Sequence, residues 1–218
     1  MTSEEATMLR CGAIELGIEL SGEEIDRFAL FTRELLRWNA KLNLTALEKV
    51  TDIVAKHYLD SLSISSLLPC GAILLDIGSG GGFPSIPLKI IRPDIVAISV
   101  DSVQKKINFQ RHVARSLRLE KFRAVHSRIE DLDQGLAGGV DFVVARAVAD
   151  LMVLAQMGAR FLTQDGKLIA MKGSRWREEM AESAGRLDGL GLVVTDTIEL
   201  RLPVTGDVRG VILIGRKK

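Results

Sequence analysis

The sequence predicts an α/β fold, a Rossmann-like and mostly parallel sheet of seven strands with an antiparallel end, preceded by an N-terminal helical extension. Three observations point there. Beyond residue 70, short strands apolar on both faces alternate with helices, the pattern of a parallel sheet covered on both sides. A glycine-rich turn, Gly78-Ser79-Gly80-Gly81-Gly82, directly follows the first of those strands. Residues 4–68, by contrast, read as helical.

In the extension, Ser21 and Glu24 fit a capping box, and Ile25, Phe28, Phe31 or Thr32, and Leu35 recur at helical spacing. Residues 38–45 read as a polar break, with a further helix expected over about 52–68. Pro69-Cys70-Gly71 ends that helix and divides the chain into an extension over 1–69 and a main domain over 70–218. The first strand, Ile73-Leu74-Leu75, ends at Asp76, and Pro84 suits the first turn of a helix expected over 85–91. A second strand over 96–100 ends at Asp101. A helix over 105–117 follows, with Ile107, Val113/Ala114 and Leu117 on one side. Strands are expected at 122–126, 141–145 and 167–171, the last introduced by the turn residues Asp165-Gly166, and a helix at 151–161. A helix at about 176–187 and two strands, 192–200 and 208–214, joined near 203–207, supply the antiparallel end.

A chain of 218 residues suits one main core with a smaller extension, and 47% hydrophobic with 26% charged residues is a globular composition. No apolar run reaches bilayer length, and the opening Thr2, Ser3, Glu4 and Glu5 lack the basic start of a secretory signal. Cys11 and Cys70 form no C-x-x-C pair, and no His/Cys cluster suggests a metal. A soluble, cytoplasmic protein with no membrane partner is expected, with a monomer as the default. The formal charge of +1 is unevenly spread. Residues 1–70 hold seven Lys/Arg against eleven Asp/Glu, whereas residues 92–128 hold nine against three, and Arg216, Lys217 and Lys218 follow at the end. A phosphate-rich partner could use that distribution, and a solvated helix face is the plain alternative.

The chemistry concentrates in the segment from Asp76 to Pro84. Gly78, Gly80 and Gly82 permit a tight turn and close approach of a ligand to the backbone, and the next helix offers free N–H groups. Asp76 would face a cation. That gains little beside a pyrophosphate but suits the amino group of a methionine moiety, so the turn favours S-adenosylmethionine over a dinucleotide. Asp101, twenty-five residues on, can accept hydrogen bonds from both ribose hydroxyls, a role that NAD proteins share. Ile129 and Glu130, after the third strand, could read the adenine edge through their backbone. Phe83 either packs against the cofactor or belongs to the core. The loop lacks the Lys-Ser/Thr ending of a nucleotide P-loop.

Several blocks along nearly the whole chain resemble one family. Trp38-Asn39-Ala40-Lys41-Leu42-Asn43-Leu44-Thr45, His57-Tyr58-Leu59-Asp60-Ser61-Leu62, the loop from Asp76 to Pro87, Asp101-Ser102 with Lys105-Lys106, Arg128-Ile129-Glu130, Arg146-Ala147-Val148-Ala149 and Lys172-Gly173 occur in its order. The chain resembles the bacterial RsmG (GidB) family of 16S ribosomal RNA guanine-N7 methyltransferases. Ser85 stands where the family usually has glycine, and Ala145 where a serine often precedes the arginine. The resemblance implies methyl transfer from S-adenosylmethionine to N7 of a guanine in the 530 loop (guanine 527 in the family), within the 30S subunit or an assembly intermediate. It implies cofactor contacts from Gly78, Phe83, Asp101, Ser102, Ile129, Glu130 and Arg146.

Guanine N7 carries a lone pair and no proton, so the attack needs no general base, and alignment is the main task. Arg146, at the carboxyl end of the fourth strand, is the first choice for catalysis. It could meet the cofactor carboxylate, the guanine O6 or a phosphate, or form a structural ion pair. His57 and Asp60, three apart on a helix, could cap the pocket, contact RNA or merely stabilise the helix. Asn39, Lys41, Asn43 and Thr45 suit turn and cap roles, and the resemblance places them by the active site. Lys105, Lys106, Arg111, Arg115 and Arg118 are candidates for the RNA backbone, and Lys172 for a phosphate or an ordinary surface position.

Overall fold

The computed structural model describes residues 1–132, 134–146 and 150–217. Its seven strands are β1 Ile73–Ile77, β2 Val96–Asp101, β3 Phe122–His126, β4 Val140–Arg146, β5 Leu162–Lys172, β6 Leu192–Arg201 and β7 Val208–Arg216. They lie in the order β3-β2-β1-β4-β5-β7-β6. The first five pair in parallel, and β7 runs antiparallel to both β5 and β6. The order reverses between β1 and β4, and open α/β sheets bind ligands at the carboxyl ends of the strands beside such a point.

Alternation within each strand sorts the core. Leu75, Val143, Leu168 and Ile212 face one side, where α7 (Leu151–Gly158) and α8 (Trp176–Asp188) cover them. Leu74, Val144, Ile169 and Leu213 face the other, against Leu88 of α5 (Ser85–Ile91). Both faces are apolar because both are covered. The helices of the extension pack over α5 and α6 (Gln104–Ser116). Phe28, Phe31, Leu35, Tyr58 and Leu59 share one cluster with Phe83, Ile86, Ile90 and Phe109. Residues 85–90 are therefore buried all round, and even Lys89 is 1% exposed. Its ammonium donates to the carbonyls of Pro93 at 2.9 Å and Ile95 at 2.7 Å. Arg92 ties the end of the extension to the sheet, donating to the carbonyls of Ser65, Leu68 and Pro69 while pairing with Asp94 at 2.7 Å.

The extension comprises α1 Ser3–Glu15, α2 Gly22–Leu42, α3 Val50–Ile53 and α4 Asp60–Leu62, with a π-helical turn at Val54–Leu59 and a 3-10 turn at Ser65–Leu67. The capping box of Ser21 and Glu24 is formed. The break expected at 38–45 starts later, because α2 continues to Leu42 and stops at Asn43, whose left-handed conformation (φ 50°) ends the helix. Trp38 stays helical because its ring packs on Phe109. Strand β5 also starts earlier than expected. Leu162 pairs with Val140, residues 163–166 bulge out, and pairing resumes at Lys167 opposite Phe142, so the Asp165-Gly166 turn lies inside the strand. Among the described residues, no helix is long and apolar enough to cross a membrane.

Candidate active site

The glycine turn lies between the carboxyl ends of β1 and β2. Gly78, Gly80 and Gly82 all have positive φ (67°, 57° and 88°), which glycine adopts at little cost. Gly82 is closed in, since a β-carbon there would collide with the side chain of Ile86, whereas a β-carbon on Gly80 would meet nothing within 4 Å among the described residues. The floor of an open space is therefore Gly80, and Asp101 stands beside it. One Asp101 oxygen accepts the Gly80 N–H at 2.9 Å, the other the Val103 N–H at 2.8 Å, and Lys106 lies 3.6 Å away. A carboxylate offers about four acceptor sites, so these contacts leave capacity for a diol. Ser102 is exposed next to it, and its carbonyl contacts the His126 ring at 3.0 Å.

Asp76 is fully buried. One of its oxygens accepts the Ser85 N–H at 3.1 Å; among the described residues the other has no hydrogen-bond partner, nor does the buried Ser85 hydroxyl. Burial pushes the Asp76 carboxyl up to about 7, which the neighbouring Ser85 side chain, the Ser85 N–H and the charge of Arg146 offset only in part. An unsatisfied buried carboxylate at a ligand-binding sheet edge fits a cationic group such as the amino group of S-adenosylmethionine.

Arg146 ends β4 with its guanidinium largely covered. Nη1 donates to the Lys56 carbonyl at 2.8 Å and lies 3.3 Å from Asp60; Nη2 meets Nδ1 of His57 at 3.0 Å. Its planar group also lies 5.1 Å from the centre of the Phe83 ring. Nδ1 of His57 also lies 3.3 Å from the Lys56 carbonyl, but arginine only donates and its contact is shorter, so Nδ1 is assigned as the acceptor and the ring proton to Nε2, 2.7 Å from the Thr45 hydroxyl. The Thr45 N–H in turn donates to the Asn39 side chain at 2.9 Å. Burial and the Arg146 charge push His57 down to about 3, so the ring is neutral at pH 7. Asp60 bridges Arg146 and Arg209, which is 3.2 Å from its other oxygen. Asn39 and Thr45 of the polar break, the pair His57 and Asp60, and Arg146, all named in the sequence, thus form one hydrogen-bonded chain from the extension to the sheet edge. The following Ala147, Val148 and Ala149 lie outside the described residues.

Other candidates lie elsewhere. The Phe83 ring is 4% exposed, stacked on His57 at 4.3 Å and packed against Phe31 and Tyr58, so it belongs to the protein core. The Ile129 side chain is in the core as well, while Glu130 is exposed. Lys172 pairs with Glu179 at 2.6 Å, and Glu179 also caps the Leu151 N–H at 2.9 Å, a structural contact between β5, α7 and α8. Asn43 lines a cleft of about 760 Å³ with Asn39 and Thr45, and Lys41 lines a neighbouring hollow. Lys105 and Arg111 lie exposed on α6, with Arg111 donating to the Ala124 carbonyl at 3.0 Å.

Two residues escaped the sequence reading. Gln110, fully buried, donates to the Ser79 hydroxyl and the Gly80 carbonyl, both at 2.8 Å, and accepts from Ser99 at 2.6 Å. It locks the glycine turn to α6 and β2, and its signal was a polar residue in the apolar stripe between Ile107 and Val113. Arg160 holds the carbonyls of Ile129 and Glu130. With those carbonyls engaged, adenine recognition from this loop would fall to its N–H groups. No local pattern marks Arg160, since the contact spans about thirty residues of chain.

Solved structures share this fold. A SAM-dependent methyltransferase from Aquifex aeolicus superposes with a TM-score of 0.59 at 16% identity, covering 75% of this chain and 92% of that one. TYW2 of M. jannaschii, solved in complex with AdoMet, gives 0.59 at 12% identity over 72% and 74%. The fold is that of the Rossmann-like S-adenosylmethionine-dependent methyltransferases. The family model described as rRNA small subunit methyltransferase G (GidB) matches residues 24–201. Ribosomal RNA small subunit methyltransferase G of Geotalea uraniireducens is 44% identical over 214 residues, 98% of each chain, and that of Staphylococcus epidermidis is 37% identical over 207 residues, 94% of this chain and 87% of its own. The chain belongs to the rRNA small subunit methyltransferase G family.

Proposed function

We propose that this protein transfers the methyl group of S-adenosylmethionine to N7 of a guanine in the 530 loop of 16S ribosomal RNA, guanine 527 in the family. The substrate would be the 30S subunit or an assembly intermediate, met in the cytoplasm by a monomer whose residues 1–69 act as a helical extension to the methyltransferase domain. The observation that carries this reading is the open space over Gly80 beside Asp101, at the sheet edge that also holds the buried, half-satisfied Asp76 and Arg146.

The cofactor, when bound, supplies an electrophilic methyl group on a sulfonium. Asp76 would hold its amino group, Asp101 the ribose hydroxyls, and the N–H groups around Ile129 and Glu130 the adenine. Guanine N7 needs no deprotonation, so the neutral His57 is not required as a base. It serves instead to fix the Arg146 plane together with Asp60 and the Lys56 carbonyl. A guanidinium has five N–H donors, more than these three contacts use. The remaining donors suit the guanine O6 or the cofactor carboxylate. Such preorganised donors stabilise charge that develops as the methyl group moves.

The direct test is transfer of labelled methyl from S-adenosylmethionine to unmethylated 30S subunits, with the product mapped to the nucleotide. Label at N7 of the 530-loop guanine supports the reading. Cofactor binding without transfer to competent 30S particles would point to a small-molecule or protein acceptor and overturn it.

A further inference from the structure

The extension as a whole is acidic, yet the second half of α2 is not. Arg33, Arg37 and Lys41 recur every four residues on its exposed side, and Glu34 is the only acid from 27 to 47. Glu34 is 6% exposed and faces inward, accepting from Arg37 at 2.9 Å and from His112 of α6 at 2.8 Å. That contact seats α2 beside α6, which with the turn after it carries five basic residues from 105 to 118 and no acid. The two helices therefore present one basic face, invisible in a charge count that assigns them to opposite ends of the scale.

The face has relief. Trp38 is only partly buried, with its ring 5.7 Å from Phe109 and 5.3 Å from His112, and it lines a hollow of about 500 Å³ with Arg37, Lys41 and Leu42. Farther along α6 and the turn after it, Arg111, Arg115 and Arg118 line a second hollow of about 410 Å³ beside the edge strand β3, with Glu120 among its lining residues. The face also starts at the active-site edge. Lys106 reaches Asp101, and Lys41 lies four residues before Thr45, which bonds His57. From there α6 leads away for about 20 Å at 1.5 Å per residue.

We propose that this face holds the RNA that flanks the target guanine, with an unstacked base against Trp38 and phosphates at Arg33, Arg37 and Arg115. The inference rests on the functional reading above and adds the path of the substrate. Regularly spaced cations around a partly exposed aromatic ring match a single-stranded nucleic acid, because phosphates meet the cations and any base can stack on the ring. The buried Glu34 fixes Arg37 and His112 around the indole, so the platform is built before RNA arrives.

The test measures methylation of 30S subunits and their binding across salt concentrations. It compares wild type, the double variant R33E/R115E, and W38L with W38F as its aromatic control. The charge variant is expected to raise KM at least tenfold with kcat and cofactor affinity unchanged, and to flatten the slope of log affinity against log salt by about 1.4, the loss of two single-strand phosphate contacts. W38L should raise KM several-fold and W38F restore it, with matched thermal stability separating stacking from folding. Methylation with wild-type KM and salt slope in the charge variant overturns the proposal. A loss of 30S affinity with an unchanged salt slope would assign the face to a ribosomal protein and overturn it too. A wild-type protein that binds cofactor but neither binds nor methylates the subunit refutes the functional reading, and this inference with it.

Discussion

Asp76 and His57 should pull the stability of the cofactor-free protein in opposite directions with pH. The Asp76 carboxyl is raised from 3.8 to about 7 by burial, so between those values the native state holds a proton that the unfolded chain has released. Its contribution is fully present below pH 3.8 and is lost as pH rises through 7, at about 1.4 kcal/mol per pH unit. His57 is lowered from 6.5 to about 3, so its contribution is present above pH 6.5 and is lost as pH falls toward 3, with the same slope and opposite sign. Between pH 4 and 6.5 the two nearly cancel. Asp76→Asn removes one of them while keeping an oxygen that can accept the Ser85 N–H. The variant should match wild type only below about pH 3.5, exceed it by about 1 kcal/mol at pH 4.5, by about 3 kcal/mol at pH 6, and by roughly 4 kcal/mol at pH 7.5. Urea unfolding followed by tryptophan fluorescence at each pH, without cofactor, reads the difference directly. A wild-type-to-variant difference that does not change with pH would refute the reasoning, because it would mean that Asp76 is ionised in the native state throughout. The same variant should bind S-adenosylmethionine more weakly despite its greater stability, an outcome that titration calorimetry separates from unfolding.

Arg146→Lys cannot span the Lys56 carbonyl, Asp60 and His57 with one ammonium; kcat should fall on the order of a hundredfold, and unfolding by denaturant should show a loss of roughly 1–3 kcal/mol from the buried groups left without a donor. Gln110→Leu leaves Ser79, Ser99 and the Gly80 carbonyl without their partner; a loss of roughly 2–4 kcal/mol and weakened cofactor binding are expected, and an unchanged melting temperature would contradict the role of Gln110 in locking the turn. Gly82→Ala combines a left-handed backbone with overlap on Ile86 and should cost roughly 2–5 kcal/mol, whereas Gly80→Ala meets no neighbour and should lose more in cofactor affinity than in packing. Arg92→Ala strips donors from three carbonyls at the end of the extension, and hydrogen exchange should rise first in residues 65–71.

Local signals carried far in this chain. The alternation of strands apolar on both faces with helices marked all seven strands, and the segments 85–91 and 122–126 appear with the expected ends. Asp101 and Arg146 were legible because each terminates a strand, and Asp76 because it lies one residue before the end of β1, which runs on to Ile77 rather than stopping at Asp76; strand ends at one sheet edge converge whatever the sequence between them. The helix boundaries at Leu42 and in the 50–62 region were not, because Trp38 is held in α2 by Phe109, seventy residues away, and the π-helical turn that carries His57 is stabilised by tertiary packing.

The sequence by itself determined the elements and the glycine turn, since periodicity and glycine placement act over a few residues. Only the tertiary structure decided what those groups touch. It joined Asn39, Thr45, His57, Asp60 and Arg146 into one chain, turned Lys172 from a phosphate candidate into the partner of Glu179, and placed the basic half of an acidic extension beside α6. Those outcomes depend on hydrogen bonds and burial between residues tens of positions apart. Their energies are set by the desolvation and pairing that only the folded neighbours provide.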